Sequence, residues 1–195
     1  MKILYQGRAS LRIITNEGTV VYVDPFMGEG YDLPADIILV THQHGDHNQI
    51  NLPNKKNDCL IYQNFDALKD GKYMTLDYKD LQIEAVPAYN KNHKKEECVG
   101  YLIKAENKTL YIAGDTSKIP EMEELASKNI DYAFLPADGF YNMDIEEAAE
   151  CAKIIACKYC IPIHTSPDQL YCKSTAEKLN FENRILMDVN QEIEV

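Results

Sequence analysis

The chain has 195 residues, of which 45% are hydrophobic and 26% charged, a composition that excludes a disordered or fibrous protein and leaves room for one well-buried core. A formal net charge of −11, with no Lys/Arg-rich stripe to offset it, repels phosphates, so nucleic acid is not expected as a partner. One domain over residues 1–195 is expected, cytoplasmic and with no membrane association, because Met1 to Gly7 holds no signal-like apolar run and no stretch could span a bilayer. Six cysteines in a reducing compartment predict thiols rather than a disulfide framework.

Short β-branched runs predict strands at Ile3 to Tyr5, Leu11 to Ile14 and Val20 to Val23, and the unbroken run Ile37 to Val40 predicts a strand buried on both faces. A polar stretch, Asn51 to Asp58, precedes a predicted strand at Leu60 to Tyr62 and a short helix within Asn64 to Lys69. From Leu81 to Ala85 apolar and polar residues alternate, the period of a half-exposed strand. A hairpin follows, with Val99 to Lys104 and Thr109 to Ala113 flanking a turn at Glu106 to Lys108. Pro120 opens a predicted helix to Ser127, and Tyr132 to Leu135 reads as a strand. Ile145, Ala148, Ala149, Ala152 and Ile155 recur at helical spacing behind Asp144, an N-cap with Glu147 at capping-box distance. A strand at Cys160 to Ile163, a helix around Ser174 to Leu179 and a strand near Arg184 to Leu186 complete an α/β or α+β pattern.

The decisive segment stands directly behind the run that ends at Val40: Thr41-His42-Gln43-His44-Gly45-Asp46-His47. In an extended turn His42 and His44 project to one side, where both imidazoles can meet one cation. A helix beginning at about Asp46 would swing Asp46 and His47 to an adjacent position for a second cation, with Gly45 relieving the crowding. A lone histidine is usually a surface residue or a satisfied core side chain. The set is different, because a chance His-x-His-x-Asp-His match arises on the order of once in several thousand chains of this size.

The chain here resembles the metallo-β-lactamase superfamily, and is most similar to its small bacterial metal-dependent hydrolases, related to the group that includes ascorbate-phosphate lactonases. The resemblance covers nearly the whole chain and rests on Asp24-Pro25, the histidine loop, Pro87 to His93, Gly114-Asp115-Thr116 and Pro162-Ile163-His164. It implies an α+β fold, a four-layer αββα sandwich with metals in a cleft at one sheet edge. It further implies that His42, His44 and His93 bind one metal, that Asp46, His47 and His164 bind the other, and that Asp115 bridges both. All 5 histidines of the chain fall at these ligand positions. Asp24, which alone could be a turn residue before Pro25, would support the site from behind its ligands, since a metal-bound imidazole needs a partner on its other nitrogen.

Where the third histidine of most relatives follows the strand at once, this chain has Asn90, and His93 comes three residues later; either His93 returns to the site or Asn90 or water completes it. Arg8 stands where relatives often carry histidine and receives no role. Cys157-Lys-Tyr-Cys160 has thiol spacing for metal or redox chemistry, but no second pair accompanies it and a core placement is expected. Tyr141 is expected to line the cleft.

Imidazole and carboxylate ligands favour two zinc ions, with manganese or iron also compatible, and His44 argues against the oxygen-reducing diiron branch. The function implied is a hydrolase in which a metal-bound hydroxide attacks an ester, lactone, thioester or phosphoester of a small molecule, with Asp46 also shuttling the proton. No nucleophile elbow or P-loop competes. The alternatives are a non-catalytic metal-binding sensor or scaffold, and a nuclease of the same fold.

Overall fold

The computed structural model describes residues 1–195. The chain first lays down β1 (Lys2–Gly7), β2 (Ser10–Ile14), β3 (Val20–Val23), β4 (Ala35–Val40) and β5 (Lys55–Gln63). Then come α1 (Asn64–Ala67), a small ribbon of β6 (Leu68–Lys69) and β7 (Lys72–Tyr73), and the strands β8 (Thr75–Tyr78), β9 (Leu81–Pro87), β10 (Val99–Ala105) and β11 (Lys108–Ile112). The remainder alternates: α2 (Met122–Leu125), β12 (Tyr132–Pro136), α3 (Ile145–Ile154), β13 (Tyr159–Ile163), α4 (Lys173–Ala176) and β14 (Glu192–Glu194). Two sheets result, ordered β14-β1-β2-β3-β4-β5 and β13-β12-β11-β10-β9-β8.

The sheets pack face to face because alternate residues of their strands are apolar. Ile3, Leu11, Val21, Ile37 and Leu39 of the first meet Ile83, Tyr101, Ile103, Ile112 and Phe134 of the second in one core. The intervening residues face outward. Leu102, Tyr111, Ala133 and Leu135 are covered by α2 and α3 through Met122, Leu125, Ala148 and Ala152. Tyr22, Ala35, Ile38 and Val40 are covered by Tyr31 of the loop between β3 and β4, with Leu33 and Ile50 packed beside them. β4 is therefore apolar from Ile37 to Val40 because both its faces are buried, while the buried Asp36 at its start is paired with Lys56 and Lys79. The fold is an α+β sandwich of two sheets, with helices over the outer face of the second sheet and loop segments over that of the first. No helix is long and apolar enough to cross a membrane.

Both sheets are part parallel. β3, β4 and β5 run the same way in the first, as do β11, β12 and β13 in the second. Their carboxyl ends thus gather on one edge, and the residues that follow them form the site.

Several local expectations differ from the structure. β5 begins at Lys55, inside the stretch read as a polar loop, since its first residues are exposed edge positions. Helix ends fall short: Asn64 to Lys69 is helical only to Ala67 and then enters β6. Pro120 to Ser127 holds one α turn and a 3-10 turn that runs to Lys128. The helix read around Ser174 to Leu179 is α4, which ends at Ala176. Asp144 does cap α3, accepting from Glu147 N at 2.8 Å, but the reciprocal half of the box is replaced because the Glu147 carboxylate accepts from Lys118 N at 2.7 Å. Arg184 makes only an isolated bridge to Cys160, and the last strand is β14, which pairs with β1. Cys157 and Cys160 are buried in the core under α3.

Candidate metal centre

Each site residue sits just past a strand end. Asp24 follows β3, His42 to His47 follow β4, Asn90 to His93 follow β9, Asp115 follows β11 and His164 follows β13. The histidine loop is a turn rather than the start of a helix: His47 N donates to His44 O at 3.0 Å and the chain then leaves the turn. Gly45 is not forced by crowding either, since a Cβ there would meet nothing within 4 Å. Gly114 is required. Its φ of +64° turns the chain at the end of β11, and an added Cβ would lie 2.8 Å from Val99 O and 3.1 Å from Thr41 Cβ.

All five histidines converge. His42, His44 and His93 form one group whose ligating atoms lie within 4.8 Å of one another; Asp46, His47 and His164 form a second; and Asp115 joins His42 and His47 in a third. The Asp115 carboxylate spans the groups, with Oδ1 at 3.5 Å from His47 Nε2 and Oδ2 at 3.3 Å from His93 Nε2 and 3.8 Å from His164 Nε2. Asp46 Oδ2 lies 3.5 Å from His164 Nε2. The loop after β9 brings His93 back, and its Nε2 comes within 3.2 Å of His44 Nδ1. Asn90 does not point into the cluster as a substitute ligand. Its Oδ1 instead meets His93 Nδ1 at 2.9 Å, while its Nδ2 donates to Tyr141 O and Asn142 Oδ1, each at 3.1 Å.

The outer nitrogens are held in the same manner elsewhere. Asp24, fully buried at φ 45°, faces His47 Nδ1 with Oδ2 at 2.8 Å and accepts from Thr41 N at 2.7 Å and Thr41 Oγ1 at 2.6 Å. The same Thr41 hydroxyl lies 3.0 Å from His42 Nδ1. Asp138 Oδ2 is 3.2 Å from His164 Nδ1, close enough for an ion pair though off line for a straight hydrogen bond. Four of the five imidazoles thus have Nδ1 engaged from behind, which orients Nε2 into the shared space. Thr41 and Asp138 had no assigned part in the sequence reading, and Asn90 had one only as a ligand in place of His93. The Asp138-Gly139 pair after a strand was the available signal for the last of these, and its other oxygen caps the turn by accepting from Phe140 N and Tyr141 N at 2.7 and 2.6 Å.

Charge is balanced within the protein. Burial opposes ionisation of Asp115, yet the imidazoles of His47 and His164 hold its carboxyl far below the usual range. Burial likewise opposes ionisation of Asp46, but the hydrogen bond from His164 and the His47 charge outweigh it. His164 is pushed up to about 10: burial works against the imidazolium, and Asp115, Asp138 and Asp46 more than compensate. His47 is raised against burial by Asp115 and Asp24. His42 and His93 are lowered, chiefly by burial. The His164 imidazolium therefore stands beside the carboxylates where a cation could stand.

The donor set fits metal ions. His42 Nε2, His47 Nε2 and Asp115 Oδ1 are buried with no hydrogen-bond partner, a costly arrangement for three polar atoms that face one another unless something binds them. The cluster opens on a cleft of about 360 Å³ lined by Arg8, Asn92, Tyr141 and Pro167 together with His44, Asp46, His93, Asp115 and His164.

The beta-lactamase superfamily domain matches residues 2–164. A UPF0173 metal-dependent hydrolase of Geobacillus sp. is 31% identical, with 84% of this chain and 85% of that protein covered. A Parabacteroides distasonis protein, solved by crystallography and described as a metal-dependent hydrolase, shares 30% identity over 95% of this chain and 90% of its own, with a TM-score of 0.75. A diiron beta-hydroxylase from Streptomyces venezuelae, 14% identical, covers 100% of this chain and 54% of its own at a TM-score of 0.73; that likeness is one of fold alone.

Proposed function

The chain belongs to the beta-lactamase superfamily and stands among relatives named metal-dependent hydrolases, and from that premise we propose that it hydrolyses a small molecule with the help of two divalent cations. The reading is carried by the three buried, partnerless atoms His42 Nε2, His47 Nε2 and Asp115 Oδ1, which need ions more than they need one another. His42, His44 and His93 would hold one cation, Asp46, His47 and His164 the other, and Asp115 both. Imidazole-rich sites of this kind suit zinc best. Manganese and iron are also compatible with this mixed ligand set.

Bound there, two cations supply a lowered pKa for coordinated water and polarisation of the substrate oxygen, the chemistry of an ester, lactone, thioester or phosphoester hydrolase. The chain's own residues do the rest. Asp24, Thr41, Asn90 and Asp138 fix the imidazole rings from behind, so Asp24 is a positioning residue. Asp46, whose side chain is 28% exposed and faces the cleft, keeps its carboxylate ionised and can take the proton from attacking water and pass it to the leaving group. Tyr141 and Asn92 line the cleft.

The sensor or scaffold alternative rested on a misplaced third histidine. With His93 beside His44 and the cleft open, nothing favours it. Metal content of the purified protein should be measured, and activity against a panel of esters, lactones, thioesters and phosphoesters compared before chelation, after it and after zinc is restored. Hydrolysis that survives complete metal removal would overturn the proposal.

A further inference from the structure

Arg8 lies in the two-residue turn between β1 and β2, and its backbone is held on every side. Arg8 N donates to Leu170 O at 2.6 Å, and Arg8 O accepts from His164 N at 2.9 Å and from Tyr5 Oη at 3.0 Å. Its φ is 53°, in a region where Gly or Asn is the usual choice. A residue chosen only to make this turn would not be arginine. The backbone strain therefore points to work done by the side chain.

The guanidinium emerges into the cleft beside the histidine cluster, and it is the only permanently charged cation lining that cleft. It rests over the Phe26 ring at 6.0 Å from the centroid, and Nη1 donates to Ser166 O at 3.0 Å. Nε is buried and has no partner. No carboxylate neutralises the group, although acidic residues outnumber basic ones by 31 to 20 in this chain. A guanidinium offers five donors in a planar fork suited to carboxylate or phosphate oxygens, and most of this fork is unused.

We propose that Arg8 is the specificity residue of the cleft, binding a carboxylate or phosphate group that the substrate carries away from its scissile bond. This deepens the hydrolase reading and rests on it for the scissile end only. The backbone bond from His164 N to Arg8 O ties the root of this side chain to the candidate metal cluster, and the bond from Nη1 to Ser166 O holds the fork at its far end. The cleft would thus measure the substrate from its reacting carbonyl or phosphoryl to its anionic tail.

The test uses the zinc-loaded chain and compares two-headed with one-headed probes by calorimetry: succinate and phosphonopropionate against butyrate. The wild type should bind the two-headed anions about tenfold or more tighter, the worth of a charge-assisted pair, and the stronger of the two distinguishes a carboxylate tail from a phosphate tail. In Arg8→Gln the ratio of two-headed to one-headed affinity should fall to near one, and in Arg8→Lys it should recover in part, since charge remains without the fork. Arg8→Asn, whose side chain suits the left-handed backbone, serves if the glutamine variant does not fold. Ratios of kcat/KM for p-nitrophenyl hemisuccinate over p-nitrophenyl butyrate should follow the same order, with the change in KM. An unchanged binding ratio in both the glutamine and asparagine variants overturns the inference. Arg8-dependent binding without hydrolysis of any ester would leave Arg8 as an anion site and overturn the hydrolase reading instead; hydrolysis with no Arg8-dependent preference would do the reverse.

Discussion

Replacing Asp24 by Asn would change one buried oxygen to an NH2 group at nearly constant volume. Oδ1 accepts from Thr41 N at 2.7 Å, and Oδ2 faces His47 Nδ1 at 2.8 Å. If the amide keeps its oxygen on the Thr41 N–H, its NH2 faces His47 Nδ1, which must then accept. The imidazole proton moves to Nε2, the nitrogen that has no partner and faces the cluster, and His47 cannot offer a lone pair there. If the amide flips instead, a buried backbone N–H is orphaned. Loss of such a supporting partner weakens metal affinity by about 10–100-fold, or about 1.4–2.8 kcal/mol. Competition for zinc against a chromophoric chelator should show the Asp24→Asn protein losing one ion well before the other, while circular dichroism reports an intact fold. Two zinc ions held with wild-type affinity would refute the reasoning.

Asn90→Ala should raise the dissociation constant of the ion near His93 by roughly tenfold, because His93 loses the partner on its Nδ1; the same chelator titration reads it. Gly114→Ala should destabilise the fold by at least about 1–3 kcal/mol from backbone strain alone, measured by urea unfolding, since its φ of +64° and the 2.8 Å approach to Val99 O leave no room for a Cβ. In metal-free protein the raised His164 stabilises the fold fully below the ordinary imidazole value of 6.5, and that stabilisation is lost as pH rises through about 10. The lowered Asp115 acts oppositely, stabilising above 3.8 and failing as pH falls toward its folded value. Thermal melts of stripped protein should therefore peak between these limits, and zinc uptake at pH 7 should release a proton from His164 into a weakly buffered solution. Uptake without proton release would contradict the charge state described for this ring.

Half of the centre was legible because it is local. Four candidate ligands fall within His42 to His47, directly behind the one strand whose unbroken apolar run marked it as central. The distant residues Asp115 and His164 were legible only through resemblance, since a Gly-Asp-Thr turn or a Pro-x-His ending carries little information alone. What escaped were contacts that depend on how loops fold back. Nothing in the spacing from Asn90 to His93 distinguishes a ligand followed by a spare histidine from a partner followed by a ligand; the pairing of Asn90 with Tyr141 and Asn142 decides it. Thr41 and Asp138 looked like ordinary strand ends. In the fold, β8 and β14 were missed because Thr75 to Tyr78 and Glu192 to Glu194 are too short and too polar to show a period. Pairing with β9 and β1 makes them strands.

His42, His44, Asp46 and His47 hang from the first sheet, whereas His93, Asp115 and His164 hang from the second. An ion shared between His44 and His93 would cross-link chain positions 49 residues apart, and one shared between His47 and His164 a longer loop still. Each would act like a disulfide whose strength is set from outside, contributing about 4.1 kcal/mol when free metal exceeds its dissociation constant a thousandfold and nothing when metal is absent. Starved of metal, the chain would be a looser sandwich as well as an idle enzyme, so its lifetime against proteolysis would track the supply of the ions it uses.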